Sequence, residues 1–348
     1  MPPHVSIIIP SAYRPNLLRL TLNALTKQTY MNFECILVIK GFNNSYSKII
    51  RDFSKILDIK VIQQETGYVT TAINMGLSQA KGKIIAFLDD DAIPQMKWLE
   101  KHVETYESID KVGGVAGKVI EAKINKNSIH TINKPKMLKQ KLFLLKPADN
   151  LKNHLLYLTK GGLIHSYGNQ EYLEKILGIK IFPSLLWFGA NMSILREALG
   201  DYTLNEARML GLHFEQEIAY LLLKKGYKTL CNLDAVVLHL IHGETTSKFH
   251  KSLFKCAQFE AEKQLFYYIL KKNLNANLSP MFKLVSSIAV AIRCLLKAKE
   301  ENPRATLSRL FGVFTGNIMG LLYMLSDGSL ESQLKIRESL IKVNSKFI

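Results

Sequence analysis

The sequence predicts an α/β fold, in which a Rossmann-like, mostly parallel central sheet with flanking helices is followed by a C-terminal α-helical region. Two observations lead to this prediction. Short apolar, β-branched runs alternate with amphipathic stretches over the first ninety residues, and beyond residue 245 the apolar positions recur at helical spacing. Strands that alternate with helices form a parallel sheet with right-handed crossovers. Of the 348 residues, 47% are hydrophobic, which is enough for a large core and excludes a disordered chain.

The strands are predicted from β-branched runs, and the helices from apolar residues spaced three or four positions apart. The run Val5–Ile9 is stopped by Pro10, and Pro15 suits the first turn of the following helix because no amide hydrogen is needed there. The other predicted elements are the strands Phe33–Ile39, Ile59–Ile62 and Ile84–Leu88 and the helices Ser45–Leu57 and Tyr68–Ala80.

Ligands of open parallel sheets bind beyond the carboxyl ends of the strands, so three loops are candidates: Ser11–Arg14, Lys40–Asn43 and Asp89–Asp91. The sequence has no glycine-rich dinucleotide fingerprint and no P-loop motif, so a bound nucleotide would need another means of neutralising its phosphates. Three adjacent aspartates repel one another, and a divalent cation such as Mg²⁺ or Mn²⁺ would remove that cost. The alternative is that they cap the helix predicted near Pro94–Tyr106.

The net charge of +17 is concentrated in two segments. Residues 118–160 contain 10 basic and 2 acidic residues, residues 245–348 contain 16 and 7, and the remaining residues sum to zero. This distribution argues against a protein that coats nucleic acid. The four cysteines have no CxxC spacing, and the N-terminus lacks the pattern of a signal peptide. We therefore expect a cytoplasmic location and no nucleic-acid partner.

Five motifs follow one another between residues 4 and 243. They are VSIIIP with Tyr13-Arg14-Pro15, Asn74-Met75-Gly76 with Ala80-Lys81-Gly82, FLDDDA at 87–92 with Trp98-Leu99, GANMS at 189–193, and FEQE at 214–217 with Gly226-Tyr227. In order and spacing they resemble the motifs of glycosyltransferase family 2 enzymes with the GT-A fold. The resemblance implies transfer of a sugar from a nucleotide-sugar donor, with inversion at the anomeric carbon and a divalent cation, Mg²⁺ or Mn²⁺, as cofactor.

The resemblance also implies roles for individual residues. The nucleotide pocket would be lined by Pro10, Tyr13, Arg14 and Asn74. Asp89 and Asp90 would contact the nucleoside and the sugar. Asp91, together with Asp89, would bind the metal, which stabilises negative charge on the departing nucleoside diphosphate.

An inverting transfer needs a base for the acceptor hydroxyl, and the resemblance assigns this role to Glu215, with Glu217 as the second candidate. A purely structural role stays open, because acidic residues in a first helical turn also favour the helix dipole. Asn191, in the acceptor-side motif, is expected to bind substrate. His239 corresponds to a histidine that approaches the metal or the diphosphate in many relatives, with His242 close behind it. A structural role in the core is the alternative for His239.

Two positions depart from the family pattern. Lys40-Gly41 follows the second strand where the family usually has an acidic residue, and Ile73 precedes Asn74 where the family often has arginine. The first difference leaves the base of the donor nucleotide undetermined. Trp187 either stacks on a sugar or fills the core, and core is the favoured interpretation.

The chain is accordingly divided into a GT-A domain, residues 1–244, and a helical region, residues 245–348. The domain comprises a nucleotide-sugar-binding half (1–117), a lysine-rich insertion (118–160) and an acceptor half (161–244). The insertion is either a solvated surface or a surface that approaches anionic lipid or a phosphorylated acceptor.

The helical region has two features that point to a membrane surface. Apolar residues from Met281 to Leu296 recur at helical spacing and are flanked by Lys283, Arg293 and Lys297, which is typical of a helix in the membrane interface. Residues 310–326 are 17 uncharged residues with three glycines four apart, the lower limit for a membrane span. A buried helix pair explains those glycines equally well. The prediction is peripheral or monotopic attachment to an anionic inner membrane face.

The predicted function is inverting sugar transfer from a metal-bound nucleoside-diphosphate sugar to an acceptor hydroxyl, on a lipid-linked or cell-surface glycan. One alternative is a processive polysaccharide synthase of the same fold, which is disfavoured because the chain lacks several long apolar spans and a QxxRW-type motif. The other is a basic nucleic-acid-binding protein without catalysis, which leaves the five motifs unexplained.

Overall fold

A ten-stranded sheet lies at the centre of the computed structural model. The structure describes residues 4–125, 128–132, 147–148, 151, 154–166, 174, 178–186, 188–241, 252–296 and 302–346. The strands are β1 Val5–Ala12, β2 Phe33–Lys40, β3 Ile59–Gln64, β4 Ile84–Phe87, β5 Ala92–Pro94, β6 Val112–Asn125, β7 Ser128–Thr131, β8 Leu156–Leu158, β9 Ile164–Ser166, β10 Ile181–Pro183, β11 Met192–Leu195 and β12 Lys228–Leu240. Strands β8 and β9 form a separate two-stranded sheet.

The described helices flank the sheet and form the C-terminal region. They are α1 Pro15–Leu25, α2 Asn44–Phe53, α3 Val69–Gln79, α4 Trp98–Ser108, α5 Arg196–Leu199, α6 Phe214–Lys224, α7 Leu253–Asn273, α8 Pro280–Leu296, α9 Pro303–Leu325 and α10 Leu330–Lys346, with a short 3₁₀ turn at Gly189–Asn191.

The order of the main strands is β10-β12-β6-β11-β4-β1-β2-β3, with β5 paired to β12 and β7 paired to β6. The pairings give six of these eight strands one direction, and only β10 and β11 run the opposite way. The predicted α/β fold with a mostly parallel sheet, flanking helices and a helical C-terminal region is therefore confirmed.

The alternation of side chains along each strand builds a core on each face of the sheet. Ile8 and Phe87 point into one core, which also contains Phe266 of α7. Ile7 and Leu88 belong to the other core, where they meet Trp98 of α4. The C-terminal helix α7 thus packs in the same core as the sheet.

The lysine-rich segment that begins at residue 118 starts as sheet structure. Strand β6 continues to Asn125 and pairs with β7 in a hairpin, so the boundary at 117/118 falls within a strand. Most of residues 133–153, with most of the lysines, lie outside the described residues, as do Trp187 and His242.

Helix α9 is the one described helix that is long and apolar enough to cross a membrane by length and composition. More than half of its most apolar 18-residue window is buried inside the protein. Its glycines explain the burial, because a Cβ atom at Gly312 or Gly316 would lie 2.1 or 2.3 Å from the carbonyl oxygen of Ala257 or Ala261 on α7. The glycine repeat therefore pairs two helices of the protein at close range.

Candidate active site

Two loops and the last residues of a strand meet at the carboxyl edge of the sheet. Arg14 lies just beyond β1, Asp89–Asp91 follow β4, and His239 is near the end of β12. The pairing of β5 with β12 places His239 opposite Ala92, the residue that follows the aspartates. Parallel strands end at the same edge of a sheet, and for this reason residues distant in sequence come together here.

Asp89, Asp91 and His239 form a compact group of potential metal ligands. The Nε2 atom of His239 lies 3.2 Å from Oδ1 of Asp91 and 3.7 Å from Oδ2 of Asp89. One ligand atom from each of the three residues lies within 4.8 Å of the others. Two carboxylates and one imidazole are a suitable set of ligands for Mn²⁺, and the two carboxylates also suit Mg²⁺.

The negative charge of Asp89 and Asp91 favours the protonated form of His239. Burial lowers the pKa of the imidazole, but the close contacts with Asp89 and Asp91 and the charges of these carboxylates outweigh that effect and raise the pKa to about 10. A proton therefore balances the two carboxylates in the structure. A divalent cation would take over that balancing role, since a metal ligand must present an unprotonated nitrogen.

Asp90 points away from this group and into the protein. It is fully buried, and its carboxylate accepts a hydrogen bond from Ser11 Oγ at 2.6 Å and an ion pair from Arg14 at 2.5 Å. Burial raises its pKa to about 7, with Arg14 and Ser11 opposing that rise. Arg14 also reaches Asp91 at 3.1 Å, so its guanidinium holds two of the three aspartates in place.

Ser11 and Tyr46 support this arrangement, and the motif analysis gave neither of them a role. The Tyr46 hydroxyl is 2.8 Å from Ser11 Oγ and accepts a hydrogen bond from the backbone N–H of Arg14 at 2.9 Å. Ser11 was predicted to begin the candidate binding loop Ser11–Arg14, and in the structure it is the second-last residue of β1. Tyr46 lies on α2, and no local sequence signal distinguishes it from an ordinary core tyrosine.

The two candidate bases have different surroundings. Glu215, in the first turn of α6, accepts a hydrogen bond from the backbone N–H of Gly189 at 2.9 Å. Burial raises its pKa to about 7, and the nearby charge of Asp89 adds to the rise. The Glu215 carboxylate therefore interacts electrostatically with Asp89. The Gly189 N–H holds Oε1 of Glu215 in place.

Glu217 is fully enclosed in the protein. Its carboxylate forms an ion pair with Arg208, which is also fully buried, and accepts a hydrogen bond from the Tyr202 hydroxyl at 2.5 Å. The backbone N–H of Asn205 is a third donor, at 3.3 Å. These contacts hold Glu217 in a buried polar cluster, whereas Glu215 is the glutamate on which the charge of Asp89 acts.

Asn191 is enclosed by other parts of the protein. It is fully buried, and its side-chain oxygen accepts hydrogen bonds from Trp98 Nε1 at 2.8 Å and from His102 Nε2 at 3.0 Å. Its amide nitrogen donates to the backbone oxygens of Lys118 and Ala235, both at 2.9 Å. With all four hydrogen-bonding positions used, Asn191 ties α4, β6 and β12 to the turn that carries Gly189.

Asn74 and Pro10 were also predicted to line the nucleotide pocket. Asn74 is engaged by the 204–206 loop, since it donates to the backbone oxygen of Leu204 at 2.9 Å and to Glu206 at 3.0 Å. Pro10 lies within β1, opposite Val38 of β2. The described contacts of Asn74 are therefore with the 204–206 segment, and Pro10 is part of the strand that leads to Arg14.

Tyr13, which was also predicted to line the nucleotide pocket, is exposed, with 69% of its surface accessible. Its φ of 59° is in the left-handed region, and its ring lies directly on Gly41. A Cβ atom at Gly41 would lie 2.1 Å from Tyr13 Cε1, so the glycine is needed for this ring position. The result is an aromatic face beside the ends of β1 and β2.

The aspartates do not cap the following helix. Helix α4 begins at Trp98, its N-cap residue is Lys97, and β5 lies between it and Asp91. The capping alternative is therefore not realised, and the unfavourable clustering of the three carboxylates needs another explanation.

The family model for glycosyl transferase family 2 matches residues 6–166, which contain β4, all but the first residue of β1, and the three aspartates. This part of the chain therefore has the sequence pattern of glycosyltransferase family 2. Among curated relatives, glycosyltransferase AglE from Haloferax volcanii is 37% identical over 118 residues, covering 32% of this chain and 39% of the relative. A chondroitin synthase from Escherichia coli is 34% identical over 111 residues, covering 31% and 16%. The chain thus spans well under half the length of these two relatives.

A longer and weaker match extends beyond the family 2 domain. Glucosyl-dolichyl phosphate glucuronosyltransferase from Haloferax volcanii is 22% identical over 227 residues, which is 63% of each chain. Among solved structures, TarS residues 1–349 from S. aureus, in complex with UDP-GlcNAc, superposes with a TM-score of 0.55 at 15% identity, covering 99% of this chain and 92% of that one. GalNAc-T7 with UDP, GalNAc and Mn²⁺ gives 0.54 at 17%, covering 80% and 56%. These superpositions show that the fold is GT-A.

Proposed function

We propose that this family 2 protein transfers a sugar from a nucleoside-diphosphate sugar to an acceptor hydroxyl, with inversion at the anomeric carbon. The observation that carries the proposal is the convergence of Asp89, Asp91 and His239 at the carboxyl edge of the sheet, with Glu215 nearby. Relatives with glycosyltransferase names and GT-A neighbours solved with nucleotide sugars or nucleotides support the same reaction class.

The donor set fits a divalent cation, because two carboxylates and one imidazole lie within ligand reach of one another. Asp89, Asp91 and His239 would hold Mg²⁺ or Mn²⁺, which would stabilise negative charge on the departing diphosphate. Arg14 holds Asp91 in position and presents a cation at the same edge. The exposed ring of Tyr13 is placed to stack on the nucleotide base, and Lys40 at the end of β2 flanks the same loop.

Glu215 is proposed as the base that accepts the proton of the attacking hydroxyl. Its pKa of about 7 is suited to this role, since a base is most effective when its pKa lies near the working pH. The hydrogen bond from the Gly189 N–H fixes one carboxylate oxygen, and the second oxygen would accept the proton. Glu217 holds the first turn of α6 through its buried ion pair with Arg208.

The acceptor is proposed to be a hydroxyl of a lipid-linked or cell-surface glycan. The names of two similar proteins support this acceptor class, since one is a chondroitin synthase and the other a glucosyl-dolichyl phosphate glucuronosyltransferase. A processive synthase differs from this proposal in its product, which would be a ladder of lengths where a single transfer gives one addition.

A donor screen tests the proposal. The full chain is heated with UDP-, GDP- and dTDP-sugars, each with Mn²⁺, with Mg²⁺ and with EDTA, and the unfolding temperature is recorded. One nucleotide sugar is expected to raise this temperature only when the metal is present, because a ligand that binds the folded state stabilises it. Release of the nucleoside diphosphate is then measured with that donor. If no donor stabilises the protein and none is cleaved, the proposed function is wrong.

A further inference from the structure

We propose that the outer faces of α8 and α9 form a docking surface for an anionic lipid bilayer. Met281, Leu284, Ile288, Ile292 and Leu295 form a single stripe along α8, since they are three or four residues apart. Between 51% and 68% of each of these side chains is exposed. A stripe of this length is the pattern of a buried helix face, and here nothing in the described structure covers it.

Helix α9 continues the same surface. Leu307, Phe314, Ile318, Leu321 and Leu325 recur at helical spacing and are 37–85% exposed. The opposite side of α9 is fixed to α7 through Gly312 and Gly316, so the helix cannot rotate to bury these residues. Counting all the large apolar residues exposed on the two helices gives thirteen. Soluble monomers rarely expose contiguous apolar patches above about 300–600 Å².

A groove runs between the two helices within this surface. It has a volume of about 720 Å³ and is lined mainly by apolar side chains, including Leu284, Ile288 and Phe314. Lys283 lies at its base, where its Nζ donates to Gln264 Oε1 at 2.6 Å and sits above the rings of Tyr267 and Tyr268. The sequence predicted Lys283 as part of a basic flank, and that prediction is wrong, since the side chain is only 5% exposed.

Charge identifies the occupant as an anionic bilayer in preference to a protein. Neither α8 nor α9 contains an acidic residue, whereas exposed Arg293 and Arg304 lie on the two helices. Residues 245–348 carry 16 basic and 7 acidic residues. A basic residue near an anionic leaflet contributes about 1 kcal/mol to binding. Within the described residues of α8 and α9, the charges beside this apolar face are positive, which matches the acyl region and the headgroups of such a membrane.

The geometry favours attachment at the interface over a span. One side of α9 is held against α7, and α7 carries buried charged residues such as Glu260 and Glu262. Drawing α9 through the bilayer would break that packing and expose the polar side chains of α7 to lipid. The protein therefore lies on the membrane with the α8–α9 surface inserted to the depth of its side chains. This inference does not depend on sugar transfer.

The test compares two double variants of the full chain. Leu284→Glu/Phe314→Glu places two charges on the docking surface, and Ile56→Glu/Met96→Glu places two charges on side chains of nearly equal exposure elsewhere, 61–63% in all four cases. Flotation with vesicles of phosphatidylcholine containing about 30% phosphatidylglycerol, an anionic surface of the kind that attracts basic residues, is expected to recover wild type and the Ile56/Met96 variant. The Leu284/Phe314 variant should be recovered at least tenfold less. Pure phosphatidylcholine should recover little of any protein.

A second measurement keeps the proposal testable if the charged variant does not fold. The tryptophan emission of Phe314→Trp is compared with that of wild type, and the added signal should be quenched by brominated acyl chains in anionic vesicles. Wild type that fails to float, or an added signal in Phe314→Trp that is insensitive to brominated lipid, would overturn the proposal. If light scattering instead shows a dimer that the Leu284/Phe314 variant alone abolishes, the surface binds a second copy. Cleavage of the nucleotide-sugar donor should be equal in all these variants. The membrane-docking proposal can therefore fail while the proposed sugar transfer stands, and the reverse.

Discussion

Asp91 links the cationic and the metal-ligating sides of the candidate site, since it contacts both Arg14 and His239. Replacing it by asparagine keeps the volume and removes the charge. We expect Asp91→Asn to weaken the binding of nucleoside diphosphate in the presence of Mn²⁺ at least tenfold, because a neutral amide is a poor ligand for a divalent cation. Titration calorimetry measures this directly. Asp110→Asn, at an exposed carboxylate just beyond α4, is the matched control.

Unchanged affinity of Asp91→Asn for the diphosphate with Mn²⁺ would show that the metal does not bind here. Measuring the same variant with EDTA separates the metal from direct contacts. If wild type and Asp91→Asn bind the nucleoside diphosphate equally weakly in EDTA, the affinity that the variant loses with Mn²⁺ is the contribution of the cation.

Glu215→Gln is expected to bind the donor normally and to lower the rate of transfer by about 10²–10⁴, the usual effect of removing a general base. The wild-type rate should rise with pH and level off above a midpoint near 7, because the carboxylate must lose its proton to act and its pKa is raised to about 7. The variant should lack this dependence. Rates measured from about two pH units below to two above that midpoint, at saturating donor, provide the test.

Glu217→Gln is the control that distinguishes the two glutamates. Since Glu217 is buried with Arg208, its neutralisation leaves an unpaired buried guanidinium, and it should lower the unfolding temperature of the protein. Full transfer activity in Glu215→Gln, with a folded but inactive Glu217→Gln, would assign the base to Glu217.

Asn191 illustrates a motif residue whose contacts are internal. Asn191→Ala removes four hydrogen bonds and leaves partners such as the Trp98 N–H unsatisfied. A buried group without its partner costs about 1–3 kcal/mol, so the free energy of unfolding should fall by at least about 2 kcal/mol. Urea unfolding measures this. Below the unfolding transition, donor affinity should be within twofold of wild type, and a specific loss of affinity at unchanged stability would instead indicate substrate binding.

At the scale of elements, the first four strands were predicted, whereas the short strand β5 and the antiparallel strand β11 were not. The predicted strand Phe33–Ile39 matches β2 Phe33–Lys40, since a β-branched run that is buried on both faces is a strong local signal. The three-residue strand β5 and the antiparallel strand β11 were not predicted, because their pairing depends on β12 and β4, which are distant in sequence. The start of α4 was placed near Pro94, four residues before its observed start at Trp98.

The same limit applies within the candidate site. The aspartates, Arg14 and His239 were predicted from the family resemblance, and the aspartates and Arg14 also from their positions after predicted strands. Ion pairs such as Arg208 with Glu217 were not, since nine residues separate the partners and no pattern marks them. The sequence therefore located the edge of the sheet where the candidate site lies, whereas the different surroundings of Glu215 and Glu217 became visible only in their contacts.

The contact between α7 and α9 gives a prediction for an element. A glycine-to-alanine change in a helix interior normally stabilises by up to about 1 kcal/mol. Gly316→Ala should do the opposite, because its Cβ atom would lie 2.3 Å from the Ala261 carbonyl oxygen and would force the two helices apart. We expect the unfolding temperature to fall by several degrees. Leu325→Ala, on the exposed end of the same helix, should change it little, and a stabilised Gly316→Ala would show that the helices are not in contact.

At the scale of the whole molecule, the helical region and the sheet are parts of one structure. Phe266 and Leu270 of α7 lie in the same core as Ile8 and Phe87 of the sheet. Polar contacts reinforce this packing farther along the chain, where the Asn205 side chain donates to the Tyr323 hydroxyl at 2.8 Å. The division at residue 244/245 remains a prediction about function, but the packing across it indicates a shared fold.

This shared core predicts joint unfolding. Amide protons of β1, β4 and α7 should lose their protection at the same urea concentration, because removing α7 would leave the buried side chains around Phe266 without partners. Hydrogen exchange with mass spectrometry over a urea series measures each segment separately. Peptides from β7, whose four residues are exposed, should exchange early in all conditions and serve as the internal reference. If α7 instead loses protection at clearly lower urea than β1 and β4, the helices form an independent unit that stabilises the sheet little.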